Sequence, residues 1–148
     1  MKVYLDTCIY NRPFDDQTQP RIWLETMAFT MILQMTESQQ VDLVTCSVLG
    51  FENSNNPFPE RREWVDGCLK LSKRKVILDT LMRQRASELQ EQQGVKSIDA
   101  LHLASAESRQ VDFFLTCDDS VIKRYRGKKM VVLNPVQFML KVTEEEKL

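Results

Sequence analysis

The chain has 148 residues, of which 43% are hydrophobic and 28% charged; this excludes a disordered or fibrous polymer and allows one domain with a sizeable core. A net charge of −1 excludes a global field that would draw in nucleic acid or acidic membranes, so any phosphate-binding surface has to come from local groups such as Lys123, Arg124, Arg126, Lys128 and Lys129. No apolar run approaches the roughly 20 residues of a membrane span, and the four cysteines, without C-x-x-C spacing, favour reduced buried thiols over zinc or disulfides.

In chain order, residues 2–5 ("KVYL") read as a strand that stops on Asp6. The N-terminus lacks the basic and apolar regions of a signal peptide, so a cytoplasmic protein is expected. A polar loop, "NRPFDDQTQP", leads to Pro20, which suits the first turn of a helix reaching about Ser38; Ile22, Trp23, Met27, Met31 and Met35 recur along it at helical spacing. "VDLVTC" (41–46) is a strand and "SVLGFEN" (47–53) a short helix with Ser47 as its cap. Pro59 starts another helix, with Trp64, Val65, Cys68 and Leu69 on one face. "KVIL" (75–78) is a strand or extended connection. Asp79 caps a helix running to about Gln93, where Gly94 fits the stop. Residues 97–108 are helical, with Ser97 as cap; 111–117 form a buried strand; 119–126 a short helix; 130–133 a last strand. Asn134 and Pro135 open the final helix, and "TEEEKL" is a polar tail. Short apolar strands alternating with helices predict an α/β domain with a mainly parallel sheet, which binds ligands beyond the carboxyl ends of its strands.

Four acids stand out. Asp6 and Asp118 follow strands that point to that edge; Glu52 lies in the helix after the second strand; Asp99 lies in the first turn of the apolar helix "IDALHLASA". Each has an ordinary reading: Asp6 and Asp118 as caps, Asp99 as a favourable charge at a helix start, Glu52 as an exposed helix residue. A carboxylate in a largely buried helix nevertheless needs partners. Carboxylates that converge raise one another's pKa and invite a cation, and an all-oxygen set favours Mg²⁺ or Mn²⁺ over zinc.

The stretches "YLDTCIYNRPFDD", "SVLGFEN", "IDALHLASAE" and "FLTCDDSVIK" resemble, in order, the four motif regions of the PIN-domain family, from residue 4 to about 124. The resemblance implies a single three-layer α/β/α domain with a mainly parallel sheet over residues 1–148, about 143–148 being tail. It also implies an endoribonuclease dependent on Mg²⁺ or Mn²⁺, many members being toxins of VapC-type toxin–antitoxin pairs. RNA, an antitoxin protein and a second copy of the chain are the implied partners. Carried onto this sequence, the acids are Asp6, Glu52, Asp99 and Asp118, serving as metal ligands and catalytic groups. T-x-D with Thr116 selects Asp118 over Asp119. Thr7 and His102 are expected to support the acids, His102 by sharing a helix face with Asp99 or by a purely structural role. Arg12 and Thr116 are expected to contact substrate, with a solvated or salt-bridged arginine as the alternative for Arg12 and a hydrogen bond to a carboxylate as the alternative for Thr116. Cys8 departs from the Asn or Ser that many members carry there.

The competing function is a non-catalytic RNA-binding or regulatory module of the same fold. A receiver or nucleotide-binding domain finds no support, because no glycine-rich phosphate loop is present among only four glycines. The apolar stripe at 22–35 reads as core or as a homodimer face.

Overall fold

The computed structural model describes residues 1–146. Its elements are β1 (Lys2–Leu5), α1 (Thr7–Asn11), a 3₁₀ turn (Arg12–Phe14), α2 (Pro20–Glu37), β2 (Asp42–Cys46), α3 (Ser47–Ser54), α4 (Pro59–Leu69), β3 (Arg74–Val76), α5 (Thr80–Gln93), α6 (Ser97–Ser108), β4 (Phe113–Leu115), α7 (Asp119–Arg124), β5 (Val131–Leu133) and α8 (Pro135–Glu146). The sheet order is β3-β2-β1-β4-β5 and every pairing is parallel. A parallel sheet must be covered on both faces, and the helices do so, giving the three-layer α/β/α arrangement the sequence predicts.

β1 is the central strand, and its Val3, Tyr4 and Leu5 are fully buried. The chain winds outward from β1 through β2 to β3, then returns to the other side of β1 for β4 and β5. Such a reversal opens a crevice at the carboxyl ends of the two strands beside it, here β1 and β4. Asp6 is the first residue beyond β1, and its N–H still donates to Leu115 O at 2.9 Å.

Most predicted elements are present with shifted ends. Gly94 closes α5 in the left-handed conformation (φ 68°), and Asp79 caps its start by accepting from Met82 N. Asn134 caps α8, accepting from Val136 N at 2.8 Å. The predicted loop from Asn11 to Pro20 instead opens with the end of α1 and the 3₁₀ turn. Ser47 and Ser97 are first helical residues, not caps, since Cys46 and Lys96 hold the extended cap conformation. The strand expected at 111–117 is only Phe113–Leu115, because β5 offers only three residues to pair with it. α8 continues to Glu146, so residues 143–146 of the expected tail are helical; Lys147 and Leu148 lie outside the described residues.

α2 departs most from expectation. Its buried face is Glu25, Ala28, Phe29 and Ile32, while Trp23, Met27 and Met31 are exposed. The inward stripe runs through a charged residue that a hydrophobicity reading passes over. Glu25 is fully buried and takes hydrogen bonds from Arg12 Nε at 3.0 Å, Arg21 Nε at 3.4 Å and Asn134 Nδ2 at 2.5 Å.

Gly127 marks a close approach after α7. A Cβ there would lie 2.2 Å from the Tyr125 hydroxyl, which is itself fixed by donating to Glu107. Gly127→Ala is therefore expected to destabilise the protein by about 1–3 kcal/mol through overpacking, read as a lower urea midpoint at unchanged m-value.

Candidate active site

Four elements deliver the four acids to one end of the sheet. Asp6 caps α1 and is buried; its Oδ1 accepts from Thr7 N at 2.8 Å and its Oδ2 from Thr116 Oγ1 at 2.8 Å. Thr116 thus holds an acid, the alternative to touching substrate directly. Cys8 acts one step back: its thiol meets Thr116 Oγ1 at 3.6 Å and accepts from Cys117 N at 3.3 Å.

Glu52, on α3, is half-buried. Its Oε1 accepts from Thr7 Oγ1 at 2.6 Å and also pairs with His102 Nε2. His102 is fully buried on α6, its Nδ1 lies 2.6 Å from the Tyr4 hydroxyl, and its Nε2 lies 3.9 Å from Asp6 Oδ1. His102 therefore supports Glu52 and not, as its sequence spacing suggests, Asp99. Asp118 caps α7, accepting from Ser120 N and Oγ. Asp119 is exposed and pairs with Arg21 at 2.8 Å.

Asp99 differs from the rest. It lies in the first turn of α6, partly buried, and no hydrogen bond reaches its carboxylate among the described residues. Burial, reinforced by Asp6, Asp118 and Glu52, pushes its pKa up to about 6. Burial also raises Asp6, with His102, Thr116 and Thr7 pulling the other way. Glu52 feels burial too, but the hydrogen bonds from His102 and Thr7 outweigh it and hold the carboxyl low. Burial disfavours the His102 cation, yet Cys46, Glu52 and Asp6 prevail and move it up to about 10. The Ser120 hydrogen bond keeps Asp118 low, helped by nearby Lys96.

Arg12 turns away from this centre. Its guanidinium donates to Glu25 at 3.0 Å and Asp15 at 2.8 Å, so a phosphate reaching it would compete with two carboxylates. Sequence reasoning passes over Tyr4 and Cys46, whose side chains meet at 2.9 Å behind His102. The available signal is periodicity: Tyr4 is two residues before Asp6, on the same face of β1, and a buried tyrosine hydroxyl needs a partner.

The donor set suits a hard cation. It is all oxygen, and Asp99 is a carboxylate without a partner among carboxylates that raise its pKa. The fit is chemical and not yet geometric: among the described residues, no three His, Cys, Asp or Glu side chains already form a metal-holding group. Two of the acids are held instead by Thr7, Thr116 and His102.

The sequence profile of the PIN domain matches residues 3–128. The chain belongs to the PIN-domain family. PIN domains are generally nucleases and typically use divalent metal ions. No curated protein matches the chain. Among solved structures, the PIN fold is similar to a chain of FitAB bound to an IR36 DNA fragment, with a TM-score of 0.59 and 16% identity over 90% of this chain and 95% of that one. It is similar to a chain of VapBC2 from Rickettsia felis, bound to a DNA fragment from their promoter, with TM-score 0.59 and 15% identity over 90% and 98%. DNA-bound VapBC from Salmonella typhimurium gives 0.60 and 16% over 89% and 98%. At such identities the likeness is one of fold. No helix among the described residues is long and apolar enough to cross a membrane.

Proposed function

We propose that this PIN domain is a cytoplasmic endoribonuclease dependent on Mg²⁺ or Mn²⁺, and the toxin of a VapC-type toxin–antitoxin pair. The observation that carries the reading is Asp99: a half-buried carboxylate with no hydrogen-bond partner among the described residues, its pKa pushed up by burial and three other acids. Such charge is costly unless a cation offsets it. Family membership supports nuclease chemistry, and the likeness to VapBC chains supports an antitoxin partner.

Asp6, Glu52, Asp99 and Asp118 would hold the ion, which when bound supplies charge stabilisation for the phosphate and acidity for water. The chain's own residues do the rest. Thr7 N–H and Thr116 Oγ1 orient Asp6 from both sides. Glu52 Oε2, unused by Thr7 and His102, is the atom left to face the ion. Lys96 supplies a cation beside Asp118 for the RNA backbone.

The test is incubation of purified protein with mixed RNAs, with Mn²⁺ and with EDTA, alongside a melting series. Cleavage abolished by EDTA is expected. Mg²⁺ or Mn²⁺ should stabilise the native protein by about 2.7 kcal/mol at a hundredfold excess over its Kd. The second reading is an RNA-binding module without turnover, favoured by Asp6 and Glu52 already being held by Thr7, Thr116 and His102. RNA retention with no metal-dependent cleavage or stabilisation would establish it.

A homodimer is proposed as well, supported by the outward apolar face of α2 at Trp23, Leu24, Met27 and Met31. Light scattering should then give about twice the 17.3 kDa chain mass. A monomer would leave the nuclease reading untouched.

A further inference from the structure

Glu52 is held by a buried chain of polar groups that begins in the core. Cys46 Sγ, at the end of β2, lies 2.9 Å from the Tyr4 hydroxyl on β1; that hydroxyl lies 2.6 Å from His102 Nδ1; and His102 Nε2 meets Glu52 Oε1. Tyr4 and His102 are fully buried, and the Tyr4 ring is stacked on Phe114 of β4 with centroids 5.2 Å apart. With the imidazole neutral, Tyr4 O–H donates to Nδ1 and Nε2–H donates to Glu52. With it charged, Nδ1–H donates to the tyrosine oxygen and Nε2–H again donates to Glu52. In both cases Glu52 Oε1 is the acceptor, and Thr7 Oγ1 donates to the same atom. Oε2 receives no hydrogen bond among the described residues.

A core Tyr–His pair of this kind has no advantage for stability over apolar side chains of the same volume, since every buried polar atom in it must be satisfied. The chain does not close within the core. It ends on a half-exposed carboxylate at the edge of the sheet where Asp6 and Asp99 lie.

We infer that Tyr4 and His102 are positioning residues: anchored by Phe114, they clamp Glu52 through one oxygen so that the other is available in a fixed orientation for the site's cation. This rests on the metal-nuclease reading above and adds to it the part of the core that prepares the site.

The test measures Mn²⁺ binding to the purified full chain by electron paramagnetic resonance, with Tyr4→Phe, His102→Leu, His102→Gln and Asp99→Asn beside the wild type. Tyr4→Phe removes only the hydroxyl. The Gln amide can still donate from near the place of Nε2, whereas Leu cannot. Loss of an outer hydrogen-bond partner typically weakens metal affinity about 10- to 100-fold, and that range is expected for His102→Leu, with a smaller loss for Tyr4→Phe and recovery for His102→Gln. RNA cleavage should follow in kcat with KM unchanged. Because His102 is the chain's single histidine, its ¹⁵N resonances report directly: Nδ1 should shift in Tyr4→Phe, and Nε2 in Glu52→Gln. Circular dichroism checks folding, and Tyr4→Phe remains informative if His102→Leu does not fold. Wild-type Mn²⁺ affinity in Tyr4→Phe and His102→Leu, with Asp99→Asn impaired, overturns the positioning role alone. A wild type that binds no Mn²⁺ overturns the metal reading and the positioning role together.

Discussion

Asp99→Asn is expected to abolish RNA cleavage while making the metal-free protein more stable. The activity loss should exceed the roughly 10- to 100-fold typical of residues one step removed from a metal, because an amide carries no charge for the ion and a site acid without a hydrogen-bond partner among the described residues is gone. The stability gain follows from the raised pKa. Unfolded, Asp99 titrates near 3.8; folded, at about 6. Its protonated form is thus favoured by folding, so the stability it contributes is fully present below pH 4 and is lost as pH rises through 6. At pH 7 the ionised side chain is a net liability, worth on the order of 1 kcal/mol once the solvent screening of a half-exposed group is allowed for. Urea denaturation of the variant should lack the decline that the wild type shows between pH 4 and 6, and saturating Mn²⁺ should reverse the ranking at pH 7. Opposite movements of activity and stability would mark Asp99 as kept for function. A variant that is less stable at pH 7 without metal would contradict this account.

Arg12→Ala is expected to be the most damaging substitution to the fold, at about 3 kcal/mol or more. Glu25 has no exposed surface, and Arg12 supplies one of its three partners. Removing a buried charge's partner typically costs about 3–5 kcal/mol, and the remaining bonds from Arg21 and Asn134 put the loss near the lower end. The double variant Arg12→Met, Glu25→Leu should recover most of it, since apolar residues of similar volume commonly replace a buried ion pair without harm. The comparison also separates two roles for Arg12. If the stabilised double variant binds RNA as well as wild type, Arg12 serves the fold; if binding stays weak while the Tm returns, Arg12 also touches the backbone phosphate.

The sequence was most informative where function depends on short-range order. Asp6, Asp79, Gly94 and Asn134 stand where strands stop and helices start or end, and each has a residue type that only a few local conformations favour. Strand order was legible only as a class: alternation of short strands with helices indicates a parallel sheet, but not that β1 is central. What stayed hidden depends on residues far apart in the chain. His102 reaches Glu52 across 50 positions and Tyr4 across 98, and no local pattern signals such pairings. Of the two readings of the α2 stripe, core and dimer face, the core one fails for a related reason. Its inward face passes through Glu25, acceptable there only because Arg12 and Asn134 arrive from other segments, so counting apolar residues selected the exposed stripe.

The central position of β1 also bears on how the protein is made. Synthesis delivers Asp6 before the other three acids, but its anchor Thr116 arrives 110 positions later, and Asp118 later still. β1 can pair with β2 early, yet its other edge and the oxygen of Asp6 that Thr116 holds wait for β4. A nascent chain stopped anywhere before that point lacks Asp118 and so lacks the assembled centre. Long-range closure of this kind is slow to fold. The interval between the first acid and the assembled centre is therefore set by the synthesis of the residues between them and by the docking of β4.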